Sequence, residues 1–186
     1  MAEGQFVALL RGINVGGKNI IRMADLKASF EEMGFTDVAT YIQSGNVLFA
    51  TKEANSRLTT LIEKGLSGRF GYQSVVVVRS HAQLRKAVEQ APRGFGKQPA
   101  RFRYDVIFLK DPLKSSEAMA SVSLKEGVDR AWAGEDLLYF ARLSAKATQS
   151  RLGRIVQLPI YQSMTIRNWN TTVKLLALMD ARTKGG

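Results

Sequence analysis

Three stretches of the chain gather side chains able to do chemistry. The first is Gly12-Ile13-Asn14-Val15-Gly16-Gly17-Lys18-Asn19, which has the GxxxxGK spacing of a phosphate-binding loop. In such a loop backbone amides cradle the phosphates, the lysine reaches the outer ones, and a following Ser or Thr holds Mg²⁺. Here Asn19 stands where the hydroxyl belongs, and Ile20-Ile21-Arg22 separates the lysine from a helical pattern that starts near Met23. That spacing argues against nucleotide hydrolysis. Two readings remain: a sharp turn at Gly16-Gly17 with a solvated Lys18, or a nest of amides holding an anion beside Arg11, Asn14 and Lys18.

The second stretch, Tyr41-Ile42-Gln43-Ser44-Gly45-Asn46, places polar side chains at a hairpin tip. Ser, Gly and Asn are what a tight turn wants, yet Gln43, Ser44 and Asn46 could also orient a ligand. A nucleophilic Ser44 would need a base. His81 is the one histidine, placed at a helix start, and GxSxG is absent, so a hydrolase triad has no support. The third stretch, Thr165-Ile166-Arg167-Asn168-Trp169-Asn170-Thr171, precedes an apolar helix. Its amides and hydroxyls suit capping of the first helical N–H groups. The alternative is a helix N-terminus that receives an anion, with Arg167 as its forked partner and Asn168 beside it.

Composition narrows the chemistry further. The 186 residues include no cysteine and a single histidine. Disulfides, thiolate metal sites and cysteine nucleophiles are excluded, and a metal would have to rely on carboxylates. Neither a metal site nor a cofactor is expected. Formal charge is +11, from 27 basic and 16 acidic residues. It is uneven: residues 1–79 hold 9 basic and 7 acidic side chains, residues 80–186 hold 18 and 9. From Leu137 through Met179 there is no Asp or Glu, while Arg142, Lys146, Arg151, Arg154, Arg167 and Lys174 fall there. Such a stretch fits an anionic partner, with a solvated, solubilising surface as the alternative. Met1–Gln5 has no leader pattern and no apolar run approaches the ~20 residues of a membrane span, so a cytoplasmic protein without membrane contact is expected.

The elements that position these stretches can be read from periodicity. Gln5–Leu10 is a short apolar strand, and Met23, Leu26, Phe30 and Met33 recur at helical spacing before Gly34. Asp37–Ile42 and Asn46–Ala50 form a hairpin. A helix capped by Asn55 carries Leu58, Leu61, Ile62 and Leu66, and Gln73–Arg79 is a strand containing four consecutive valines. The order strand-helix-strand-strand-helix-strand over residues 5–79 predicts a ferredoxin-like α-β plait. Residues 80–186 read as a second, strongly basic α+β half: a helix from Ser80 to Gln90, a loop from Pro92 to Arg103, and a strand at Tyr104–Leu109. A short helix at Ser115–Val122, a hairpin of Gly127–Ala133 with Leu137–Leu143, and helices at Ala145–Val156 and Asn170–Arg182 follow. The fold class expected is α+β, two packed plait-like halves with mainly antiparallel sheets. The first half lacks the aromatic and basic signature of an RNA-recognition plait, since Asn46–Ala50 has one aromatic and no basic lead.

Leu9–Asn19 (LLRGINVGGKN), Thr40–Phe49 (TYIQSGNVLF) and Thr165–Thr171 (TIRNWNT) together resemble domain-of-unknown-function family 1697, an uncharacterised and mainly bacterial family. The resemblance runs in order over nearly the whole chain. It implies two ferredoxin-like halves and no activity, so it transfers no catalytic residue; Ala91–Leu143 has no matching motif.

Three functional readings stand at this point. The first is a small phosphate- or carboxylate-bearing ligand held where the three stretches converge, by Arg11, Asn14, Lys18, Gln43, Ser44, Asn46, Arg167 and Asn168. Another is sequence-indifferent nucleic-acid binding by the basic half. The third is a carboxylate enzyme using Asp105, Asp111, Glu135 or Asp136, although nothing in the spacing brings two of these together. No catalytic signature is found, and the oligomeric state is not legible.

Overall fold

A computed structural model describes residues 3–183. In the first half, β1 (Gly4–Leu10), α1 (Met23–Glu32), β2 (Thr36–Tyr41), β3 (Asn46–Thr51), α2 (Asn55–Phe70) and β4 (Val76–Ser80) follow in the expected order. The four strands make one antiparallel sheet in the order β2-β3-β1-β4. Alternation along the strands sends Phe6, Ala8, Leu10, Val47, Phe49, Val76 and Val78 to one face, against Leu26 and Phe30 of α1 and Leu58, Ile62 and Leu66 of α2. Phe49 lies at the centre of this core, with the rings of Phe6, Phe30 and Phe35 5.7, 5.4 and 4.6 Å away. The opposite face is also apolar and buried, at Val7, Leu9, Leu48 and Val77.

The remainder contains α3 (His81–Glu89), β5 (Phe102–Leu109), α4 (Ser115–Ser121), β6 (Asp129–Gly134), β7 (Leu137–Leu143), α5 (Leu152–Ile155), β8 (Met164–Asn168) and α6 (Trp169–Thr183). A second antiparallel sheet runs β6-β7-β5-β8, the same order as the first. Ile107, Leu109, Leu138, Phe140 and Met164 form its core with Ala118, Leu152 and Ile155. The protein is therefore α+β, with two four-stranded antiparallel sheets.

Several local expectations are corrected. The helix expected at Ala145–Val156 is instead a 3₁₀ segment, Ser144–Gln149, kinked at Lys146, followed by the single turn α5. Ser150 and Gly153 fall inside that stretch, and both weaken a continuous helix. Asn55 does not cap α2: Ala54 holds the cap position with no side-chain bond, and the Asn55 amide reaches Gln83 Oε1 at 3.5 Å. Ser80 does open α3, through a capping box. Its hydroxyl accepts the Gln83 N–H at 3.2 Å, while the Ser80 N–H donates to Gln83 Oε1 at 2.9 Å.

The expected division of the chain fell at residue 79/80. Contacts within the chain gather it into two compact units, Met1–Arg85 with Leu175–Gly186 in one and Lys86–Lys174 in the other. The segment Leu175–Gly186 brings buried Leu175, Leu176 and Met179 together with charged partners. In the first unit Asp180 Oδ1 lies 2.6 Å from both His81 Nε2 and Arg85 Nη2, and Arg182 pairs with Asp37 at 3.3 Å. These partners hold the Asp180 carboxyl below the ordinary carboxylate range, the His81 hydrogen bond being the largest cause. No helix of the described residues is long and apolar enough to cross a membrane.

Candidate functional site

The glycine-rich loop of the first unit is closed by its own hydrogen bonds. Gly16 and Gly17 have φ of 58° and 74°, and the Lys18 N–H donates to the Val15 carbonyl at 3.1 Å. Positive φ at both central residues is the pattern of a mirror-image hairpin turn, which glycine adopts at little cost. Below the turn the Asn14 N–H donates to the Asn19 carbonyl at 3.1 Å, and Asn19 Nδ2 to the Gly12 carbonyl at 3.0 Å. No helix opens at the lysine, since α1 begins at Met23. The loop is a small hairpin rather than a phosphate-hydrolysing cradle, as Asn19 and the Ile20-Ile21-Arg22 spacer implied.

Two of the three stretches meet in this unit. The Asn14 amide bridges them: its Nδ2 donates to the carbonyls of Ile21 and Gln43, both at 3.0 Å, and its Oδ1 accepts the Ile21 N–H at 2.8 Å. The Leu10 N–H reaches the Gly45 carbonyl at 2.8 Å. Asn46 is fully buried, and its Nδ2 donates to the Tyr41 carbonyl at 2.9 Å and Ser44 Oγ at 3.1 Å. These asparagines fix the backbone of the two loops. Lys18 stands exposed at the turn and Arg11 is half-buried.

The third stretch lies in the second unit. Thr165, Ile166 and Arg167 belong to β8, a strand that reading the segment as a helix cap had concealed. Asn168 is the cap: its Oδ1 accepts the Asn170 N–H at 2.9 Å. Arg167 is buried, and burial lowers its pKa to about 10. Its Nη1 donates to Thr165 Oγ1 at 2.8 Å and to the Ile166 carbonyl at 2.9 Å. Arg79 makes the corresponding bond in the first unit, Nη1 to the Val78 carbonyl at 2.8 Å. Arg79 faces Val7 of β1 as Arg167 faces Val106 of β5, so each sheet carries a buried arginine at the same place. The four valines hid the first of these in the sequence.

The four candidate carboxylates do not gather. Asp105 lies in mid-β5 with Arg142 Nη2 at 3.4 Å, Asp111 pairs with Lys114 at 3.3 Å, and Glu135 pairs with Lys86. Asp136 sits with positive φ in the β6–β7 turn. No group of three or more His, Cys, Asp or Glu side chains that could hold a metal forms among the described residues. Burial raises the Asp105 carboxyl above its ordinary value, against the pull of Arg142 and Arg103. A raised value in the folded state means that Asp105 supports the fold when protonated, below its unfolded pKa. That support is lost as pH rises through the raised value. Asp105→Asn is therefore expected to raise the thermal midpoint at neutral pH and to leave it unchanged in acid. Melting both proteins across this range checks it; a variant less stable at pH 7 would show that the Arg142 pairing outweighs burial.

A concave surface of the second unit joins Asn168 and Trp169 of the third stretch to residues outside all three. Three hollows, of about 170, 260 and 130 Å³, share Phe102 at the start of β5. The guanidinium carbons of Arg101 and Arg130 lie 5.3 and 5.4 Å from the centre of its ring. The first hollow adds Arg93, Gln98, Tyr104 and Trp132; the smallest adds Arg103, Asn168 and Trp169. Behind them Phe95 presents its ring to four others, with centroids at 4.8 Å (Tyr104), 5.1 Å (Trp169), 5.3 Å (Tyr139) and 6.0 Å (Trp132). Gly96, with φ of 76°, lies so close to Trp169 that a Cβ would come 2.2 Å from the indole nitrogen. Sequence reading singled out Asn168 but not the rest of this site, whose residues come from a loop, three strands and a helix start. The available signal was Pro92–Tyr104, with four basic residues, two phenylalanines and no acid.

Two antiparallel four-stranded sheets of matching strand order, with their helices, define an α+β protein. The chain belongs to the family described as protein of unknown function (DUF1697), which matches residues 4–139. The solved structure of the conserved bacterial protein SP0830 from Streptococcus pneumoniae is similar to it. The TM-score is 0.83 at 25% identity, over 95% of this chain and 98% of that one. No curated protein matches the sequence.

Proposed function

We propose that this protein binds a phosphate-bearing aromatic ligand of the nucleotide class at the hollows around Phe102. The observation that carries the reading is the pair of guanidinium groups over the Phe102 ring, with Trp132 lining the same hollow as Arg130. A guanidinium offers both a flat cationic face for a base and a fork for phosphate. Aromatic walls with a few placed polar groups are the usual make-up of a small-molecule site. The reading retains the anionic ligand expected from the sequence and moves its main contacts. Asn14 and Asn46 spend amide hydrogens on holding loops, whereas Asn168 borders the hollow beside Trp169.

Both tryptophans of the chain border this surface, so their emission reports directly on it. Titration with AMP is expected to quench emission and release heat, and inorganic phosphate alone to do neither. Arg130→Ala, at an exposed position, should weaken AMP binding by about tenfold, the loss of one charge-assisted contact. Neither heat nor quenching with any nucleotide would remove the proposal.

A further inference from the structure

We infer that the physiological occupant of this surface is single-stranded nucleic acid, bound with little regard to sequence; this rests on the nucleotide reading above. The repetition of the surface is the argument. Trp132 lines one hollow and Trp169 another, both half-buried, with Phe102 common to the two. Exposed cations border each hollow: Arg93 and Arg130 the first, Arg103 the second, and Arg101 with the same Arg130 the third. One nucleotide occupies one hollow and leaves the other indole and its arginine unused. A strand carries several bases and several phosphates, and the surface offers several rings and several cations.

The chemistry also selects the form of the nucleic acid. Indole and guanidinium planes stack on bases that have left a helix, which a duplex does not offer. Faces of rings do not read base edges, so such binding tolerates any sequence. Lysine and arginine neutralise backbone charge, and Pro92–Tyr104 carries four cations uninterrupted by an acid. RNA and DNA single strands share this chemistry.

The test compares UMP, a short oligouridylate, the matching oligothymidylate and a duplex of equal length, by tryptophan quenching and by anisotropy of labelled strands. Expected is oligomer binding at least about tenfold tighter than UMP. Its affinity should fall with salt at a log–log slope near −2, roughly −0.7 for each of about three phosphates. Trp132→Ala should cost about tenfold or more. Because that change removes a packed ring, Arg103→Ala at an exposed strand position serves as the second variant. It should lower the salt slope by about 0.7 with the melting temperature unchanged. Tighter uridylate than thymidylate binding assigns the strand as RNA, and the reverse as DNA; both support the inference. Oligomers no tighter than UMP overturn it and leave the nucleotide reading standing. Failure of UMP and oligomers alike removes both. Duplex binding as tight as single-strand binding, without quenching, overturns stacking and reduces the surface to a patch of charge.

Discussion

Replacing Phe95 with alanine is expected to cost about 3–5 kcal/mol, a large part of the ~5–15 kcal/mol that holds a typical domain. The side chain is 6% exposed and is enclosed by two tyrosines and two indoles. Its edge-on contacts add to what burial alone contributes, because ring edges and faces attract. Few other side chains of the loop help to anchor it: Arg93, Gly94, Lys97, Gln98 and Pro99 are exposed. Local bonds from Phe95 N–H to the Pro92 carbonyl and from Lys97 N–H to the Gly94 carbonyl, at 2.8 and 3.2 Å, shape the loop without tying it to the sheet. Loss of the ring should release the loop and wet both indoles, so tryptophan emission moves to the red in the folded protein. Urea unfolding followed by circular dichroism and by emission checks both parts. An unchanged midpoint would mean that the loop is held by something other than this side chain.

Gly45→Ala is expected to destabilise the first unit by about 2–5 kcal/mol. Gly45 has φ of 83°, a region that costs a residue with a Cβ roughly 1–2 kcal/mol. The added Cβ would also lie 2.8 Å from Ile13 Cδ1 and 2.9 Å from Leu10 Cβ. Both neighbours are buried, so neither gives way freely, and overpacking of this kind costs about 1–3 kcal/mol. The site is where the two loops of the first unit meet, and the change should therefore loosen the bond from Asn14 to Gln43 as well. Gly71→Ala is the control: φ there is 66°, with nothing within 4 Å of the new Cβ, so only the backbone cost remains. Equal losses at the two glycines, read by thermal melting, would refute the close-packing argument.

What could be read in advance depended on how local the cause was. Alternation in Gln5–Leu10 and Asn46–Ala50, and helical spacing of Leu58, Ile62 and Leu66, are set by neighbours in the chain, and the elements of the first half appeared within a few residues of their expected ends. Strand β8 was concealed because Met164–Asn168 mixes polar and apolar residues under the influence of its partner β5, and only the register with β5 explains it. The polar stretches were visible as unusual, yet their types could not separate ligand contacts from loop staples. Asn14 shows why: three hydrogen bonds to Ile21 and Gln43 decide its role, and Gln43 is remote in sequence. The hollows around Phe102 take many residues from Pro92–Tyr104 but need remote ones to close them, as Trp132 meeting Phe95 shows.

Helix α6 starts in the second unit at Trp169 and finishes among residues of the first. The ribosome therefore makes Lys86–Lys174 before the first unit receives Asp180 and Arg182, a delay on the order of ten seconds at ~5–20 residues per second. During that interval His81, Arg85 and Asp37 wait without their later partners. Vectorial synthesis thus makes the unit that is begun first the later of the two to be completed.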